Sequence, residues 1–123
     1  MTAAMFNQFI ESLRERDTTN LSPVRVADKL ALQAQDIAEL AGVHRDTLRL
    51  HPESPRVQEF LREIVRVISA AMAVQPDPER AIFWLKNTPI PSLRHKTAYQ
   101  LVADGRTDDV IKYLESIQSG YLG

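Results

Sequence analysis

The chain contains no cysteine. That excludes disulfide bonds and thiolate-held zinc, and it fits a reducing cytoplasm. It has no apolar run close to the roughly 20 residues that a membrane-crossing helix requires. The first residues, MTAAMFNQFIESLRERD, lack a basic lead-in followed by an apolar stretch, so no signal peptide is expected. Large charge imbalance is also missing, since the formal net charge is −1. A strongly polyanionic or polycationic partner surface is therefore not written into the totals. No internal repeat, low-complexity run or convincing strand pattern is present.

Catalytic and metal signatures are absent as well. His44, His51 and His95 follow no ligand spacing, so no metal is expected. Ser92 and Thr97 lie in no Gly-x-Ser-x-Gly elbow, and there is no phosphate-binding loop. Asp104, Asp108 and Asp109 read as a turn and helix-end charges rather than paired acids. These readings point away from an enzyme and imply no cofactor.

What the chain does have is helical periodicity almost throughout. With 44% hydrophobic residues it can bury a real core, and the expected fold class is all-α. Met5, Phe6, Phe9, Ile10 and Leu13 form one stripe, which predicts an amphipathic helix over 3–16. Ser22 can cap a second helix with Pro23 in its first turn, burying Val24, Ala27, Leu30 and Ala31. Ser54 and Pro55 can open a long helix reaching about Val74. Its apolar positions are Val57, Phe60, Leu61, Ile64, Val65, Ile68, Ala71 and Met72.

Asp77 and Pro78 begin another helix that runs to about Lys86. The prolines of NTPIPSLRHK forbid regular helix there. Thr97 and Gln100 fit a capping box for a short helix ended by Gly105. Thr107 is placed to cap the last helix, with Val110, Ile111, Leu114 and Ile117 inward and Gly120 stopping it.

Between the second helix and the long one lies DIAELAGVHRDTLR. Gln35–Ala41 and His44–Leu50 are expected to be two short helices joined at Gly42. Ala38 is small where the two would press together, and Ile37, Ala41, Val43 and Leu48 are apolar around the turn. That is the pattern of a helix-turn-helix, whose second helix offers polar side chains to the major groove. His44, Arg45, Thr47 and Arg49 are the candidate base-reading residues, and Arg25 and Lys29 the candidate phosphate ligands. Residues 44–66 also hold five arginines against four acids, whereas the last 20 residues are mildly acidic. The competing account is a helical hairpin that only fills a core. A single module with so little net positive charge would bind weakly, so DNA binding implies a homodimer.

From Asp77 onward the chain resembles the toxin-binding domain of the MbcA/ParS/Xre antitoxin family. The resemblance rests on ERAIFWLKNTPIPSLRHKTAYQLVADGRTDDVIKYLESIQSGYLG. The anchors, in order, are Trp84-Leu85, Pro91, Leu93, Thr97, Leu101-Val102, Gly105 and the segment Val110–Gly120. The departures are Ile90 in place of an Asn, Arg94-His95 in place of a Gly-containing pair, and Ala98 in place of a Pro. With the helix-turn-helix upstream, the resemblance extends over most of residues 21–123.

The resemblance implies three regions: an N-terminal helix over 1–20, a helix-turn-helix region with its long connecting helix over 21–75, and a toxin-binding domain over 76–123. It further implies a cytoplasmic antitoxin whose partner is a RES-domain toxin, an enzyme that destroys NAD. The antitoxin's end would cover the toxin's active-site entrance, and its upstream helices would repress the operon. The toxin-contacting residues implied are Tyr113, Ile117, Gln118, Ser119, Gly120, Tyr121, Leu122 and Gly123. The apolar pair Tyr121 and Leu122 has two open readings: an anchor in a partner, or a fold-back onto its own core. Trp84 likewise reads either as core beside Ile82 and Leu85 or as the mark of a binding groove. The rival function is a stand-alone helix-turn-helix regulator whose last third only dimerises.

Overall fold

The computed structural model describes residues 3–15 and 19–118. Among these residues there are eight α-helices and no strand. They are α1 (Ala3–Leu13), α2 (Pro23–Lys29), α3 (Ala34–Ala41), α4 (Arg45–Leu50), α5 (Pro55–Val74), α6 (Pro78–Asn87), α7 (Ala98–Ala103) and α8 (Thr107–Gln118). A 3-10 turn over Pro91–Leu93 lies between α6 and α7. The fold class is all-α, as the periodicity requires. Two compact units divide it, one formed by Ala4–Arg62 and the other chiefly by residues from Glu63 onward. The division falls inside α5.

In the first unit, Ser22 caps α2 by accepting the Arg25 N–H at 3.1 Å. The buried positions of α2 are Pro23, Val26 and Ala27, and Leu30 follows them inward. This corrects the expected face. Val24 is 70% exposed, and Ala31 is an exposed residue with φ of 54° beyond the helix. The cap at Ser22 fixes the phase, and an i, i+3, i+4, i+7 stripe counted from Pro23 falls on Val26, Ala27 and Leu30. Helix α1 also stops sooner than expected. Arg14 already forms a bridge with Leu21, and the Ser22 N–H bonds Leu13 O at 2.7 Å.

Gln58 is the unit's buried polar residue on α5, only 3% exposed. Its Nε2 donates to Leu21 O at 2.8 Å and to Pro52 O at 2.7 Å, and its Oε1 accepts the Leu21 N–H at 2.9 Å. One side chain thus satisfies three main-chain groups that would otherwise be buried unpaired.

In the second unit, α6 starts from an Asp77 cap that accepts the Glu79 N–H at 3.1 Å. Ala81, Ile82 and Leu85 are its buried positions. The connector after α6 closes through a bridge between Ile90 and Lys96. Ile90 is buried there, which accounts for an apolar residue at that position. Arg94 and His95 both take left-handed backbone, with φ of 61° and 57°. That explains why a glycine-containing pair suits the site: left-handed backbone costs an ordinary L-residue about 1–2 kcal/mol.

Thr97 and Gln100 form the expected capping box, and Ala98, Leu101 and Val102 are buried. Gly105 follows with φ of 77°. Thr107 is the first residue of α8, one place inside the cap expected of it. The carbonyl of Arg106 accepts the Val110 N–H, and the Arg106 Nε donates to Asp109 at 2.7 Å. Arg66 of α5 pairs with Asp108 at 2.9 Å, and that hydrogen bond pushes its pKa upward.

Candidate functional site

The two expected surfaces lie in different units. In the first unit, α3 packs against α4. Gly42 ends α3 in the left-handed region, with φ of 72° and ψ of 33°. Ile37, Ala38, Ala41 and Leu48 are buried, so most of the apolar positions around the turn face the core, whereas Val43 is only half-buried. Arg56 adds a contact that the sequence pattern did not reveal. Its Nε donates to Ala41 O at 3.1 Å, and its guanidinium lies where a Cβ on Gly42 would meet it at 2.9 Å.

His44 caps α4: its Nδ1 accepts the Asp46 N–H at 3.1 Å. Asp46 also sits 3.7 Å from Arg49 Nη2. Arg45 and Arg49 are exposed on α4, while Thr47 is half-buried. On α2, Lys29 is exposed. Arg25 is exposed too, but one N–H of its guanidinium is committed to Arg14 O at 2.6 Å. A guanidinium carries five N–H donors, so the others stay available to an anion.

The second unit has a different character. Trp84 stacks on Tyr113, with ring centroids 6.4 Å apart and ring planes 4° from parallel. This joins α6 to α8 in the offset geometry that aromatic pairs favour. Trp84 is half-buried, so it is not the enclosed core residue that its spacing with Ile82 and Leu85 suggests. The reason is phase: Ala81, Ile82 and Leu85 take the inward stripe and leave Trp84 on its flank. Phe83 points further out and is 66% exposed. The same phase argument on the sequence would have found it.

Beside the stack lies a cleft of about 200 Å³. Ala71, Val74 and Gln75 of α5 form one wall, Arg80, Ala81 and Trp84 of α6 a second, and Leu114 and Ile117 of α8 a third. The walls are mostly apolar, and Val74 is 39% exposed at the edge. Of the expected toxin-contacting residues, Tyr113 and Ile117 are therefore brought together on this face, and Gln118 is exposed at the end of α8. Ser119, Gly120, Tyr121, Leu122 and Gly123 lie outside the described residues, as does the expected stop at Gly120. No group of His, Asp or Glu that could hold a metal occurs among the described residues.

Residues 70–120 match the model of the antitoxin Xre/MbcA/ParS C-terminal toxin-binding domain. This segment is similar to that domain. The match to a toxin-binding domain supports an antitoxin role and a toxin protein as partner. Every residue lining the cleft falls inside the toxin-binding domain, as do Phe83 and Tyr113. The match takes in only the end of α5 and none of α1–α4. No curated protein and no solved structure matches the chain. No helix among the described residues is long and apolar enough to cross a membrane.

Proposed function

We propose that the protein is the antitoxin of a type II system, that it neutralises a RES-domain toxin, and that it represses its own operon. The observation that carries this is the placement of the Trp84–Tyr113 stack and its apolar cleft wholly within the toxin-binding domain. An exposed aromatic beside a half-buried one suits an interface centre, where such residues supply most binding energy. The toxin docks against this face of α6 and α8. Residues 118–123 cover the enzyme's active-site entrance and keep NAD out. The mechanism is occlusion, and no chemical step falls to this chain.

The second half of the proposal concerns DNA. Residues 21–75 act as a helix-turn-helix region in which α4 enters the major groove. Support comes from the left-handed Gly42 between α3 and α4, the buried Ala38 and the exposed Arg45 and Arg49. Arg45, Arg49, His44 and Thr47 face bases, and Arg25 and Lys29 face phosphates. Asp46 offsets part of this positive charge, so a homodimer supplies the affinity that one copy lacks. The setting is the cytoplasm, where operator, toxin and NAD are all met.

The test is separation of the two activities in cells that express the RES-domain toxin proposed as the partner. Arg45→Ala with Arg49→Ala should release operon repression and preserve growth. Trp84→Asp should abolish growth protection and preserve repression. Growth protection surviving Trp84→Asp would contradict the docking face.

A further inference from the structure

The turn between Ile90 and Lys96 keeps a backbone shape that its residue types do not favour. Arg94 has φ of 61° and ψ of 28°, and His95 follows with φ of 57°. Two main-chain bonds impose this: Ile90 N–H to Lys96 O at 2.9 Å, and His95 N–H to Ile90 O at 3.0 Å. Glycine takes the left-handed region at no steric cost, whereas other L-residues pay for their Cβ. Strain alone marks nothing, because Ala31 is left-handed too and carries only a methyl. At Arg94 the strain is joined to a charge.

That charge is not used within the fold. Arg94 and His95 are both exposed, and neither side chain makes a hydrogen bond or an ion pair with another described residue. The other arginines from residue 63 onward all have a carboxylate: Arg66 has Asp108, Arg80 has Asp77 and Arg106 has Asp109. Lys96, next along the turn, is spent on Asp104 at 2.6 Å. Nothing among the described residues repays the backbone of Arg94, and such strain collects at binding sites.

We propose that Arg94 is a second contact with the toxin, pairing with an Asp or Glu carboxylate on that protein's surface. The turn lies inside the toxin-binding match at residues 70–120, and the inference rests on the antitoxin reading given above. A guanidinium is always charged, and its planar fork fits a carboxylate with two parallel hydrogen bonds. An exposed charge of this kind steers encounter and rejects wrong partners more than it adds affinity. Arg94 thus favours toxins that carry an acid at this place.

The test measures binding of the full chain to the RES-domain toxin proposed as the partner, by surface plasmon resonance over a salt series. Arg94→Gly and Arg94→Glu are compared with the intact chain, with Trp84→Asp as the reference and circular dichroism as the check on folding. Arg94→Gly is expected to raise Tm and yet to weaken binding about tenfold, chiefly through slower association. Arg94→Glu should bind more weakly still, and both differences should shrink as salt is added. Equal or tighter binding by Arg94→Gly would overturn the proposal. So would a fall in its Tm, which would show the side chain serving its own fold. Loss of operator binding with toxin affinity intact would assign Arg94 to phosphates and overturn it too. Failure of the intact chain to bind the toxin would sink the antitoxin reading and this inference together. Normal binding by Trp84→Asp beside weakened binding by Arg94→Gly would remove the docking face and uphold Arg94.

Discussion

Gln58 and Leu21 pair through two hydrogen bonds, a side-chain amide answering one residue's main chain at 2.9 and 2.8 Å. The amide of α5 stands in for a neighbouring strand. It fixes the segment between α1 and α2 on which the start of α2 depends. Gln58→Leu keeps the volume but leaves the Leu21 and Pro52 groups unpaired. The expected loss is about 1–3 kcal/mol, read by urea unfolding of the whole chain. An unchanged midpoint would show that these groups find water instead.

Gly42→Ala should destabilise the first unit. Positive φ costs an L-residue about 1–2 kcal/mol, and the new Cβ would also displace the Arg56 guanidinium from its seat on Ala41. Thermal melting should show the loss. Arg56→Ala in the Gly42→Ala background should then cost less than Arg56→Ala alone, because the contact is already broken.

Much of this was legible in the sequence, and the limits have physical causes. Caps are local chemistry, so Ser22, Asp77 and the Thr97–Gln100 box stand where the sequence places them. Long amphipathic periodicity is equally local, and α5 follows it except that Val67 is buried and Val65 only half-buried. The short α2 has only two turns, too few for the stripe to declare its phase, so its sequence points Val24 inward where the structure buries Val26. Gln58 and Arg56 act on main-chain groups far off in sequence, and no periodicity encodes that. Trp84 reads as core by residue type, and only the phase of Ala81, Ile82 and Leu85 sets it at the edge.

The Arg94–His95 turn offers a stabilising change. Both residues hold left-handed backbone. Replacing either with glycine removes that strain, set against glycine's larger entropy in the unfolded chain. Arg94→Gly or His95→Gly is therefore expected to gain about 0.5–1 kcal/mol, seen as a raised Tm. A fall in Tm would mean that the side chains contribute more than their backbone costs.

Arg45→Ala with Arg49→Ala should weaken operator binding by about 1–3 kcal/mol per lost base contact. The salt dependence should flatten as well, by up to about 0.9 in slope for each contact that is to phosphate. Fluorescence anisotropy over a salt series reads both. An unaltered isotherm would remove α4 from the DNA-binding surface.

The most direct measurement is NAD consumption by the RES-domain toxin proposed as the partner, assayed with purified antitoxin added in excess. The account predicts that the intact chain and the Arg45→Ala, Arg49→Ala variant stop NAD loss, and that Trp84→Asp and the chain ending at Gln118 do not. Undiminished NAD loss with the intact chain, or full protection by the shortened one, would contradict it.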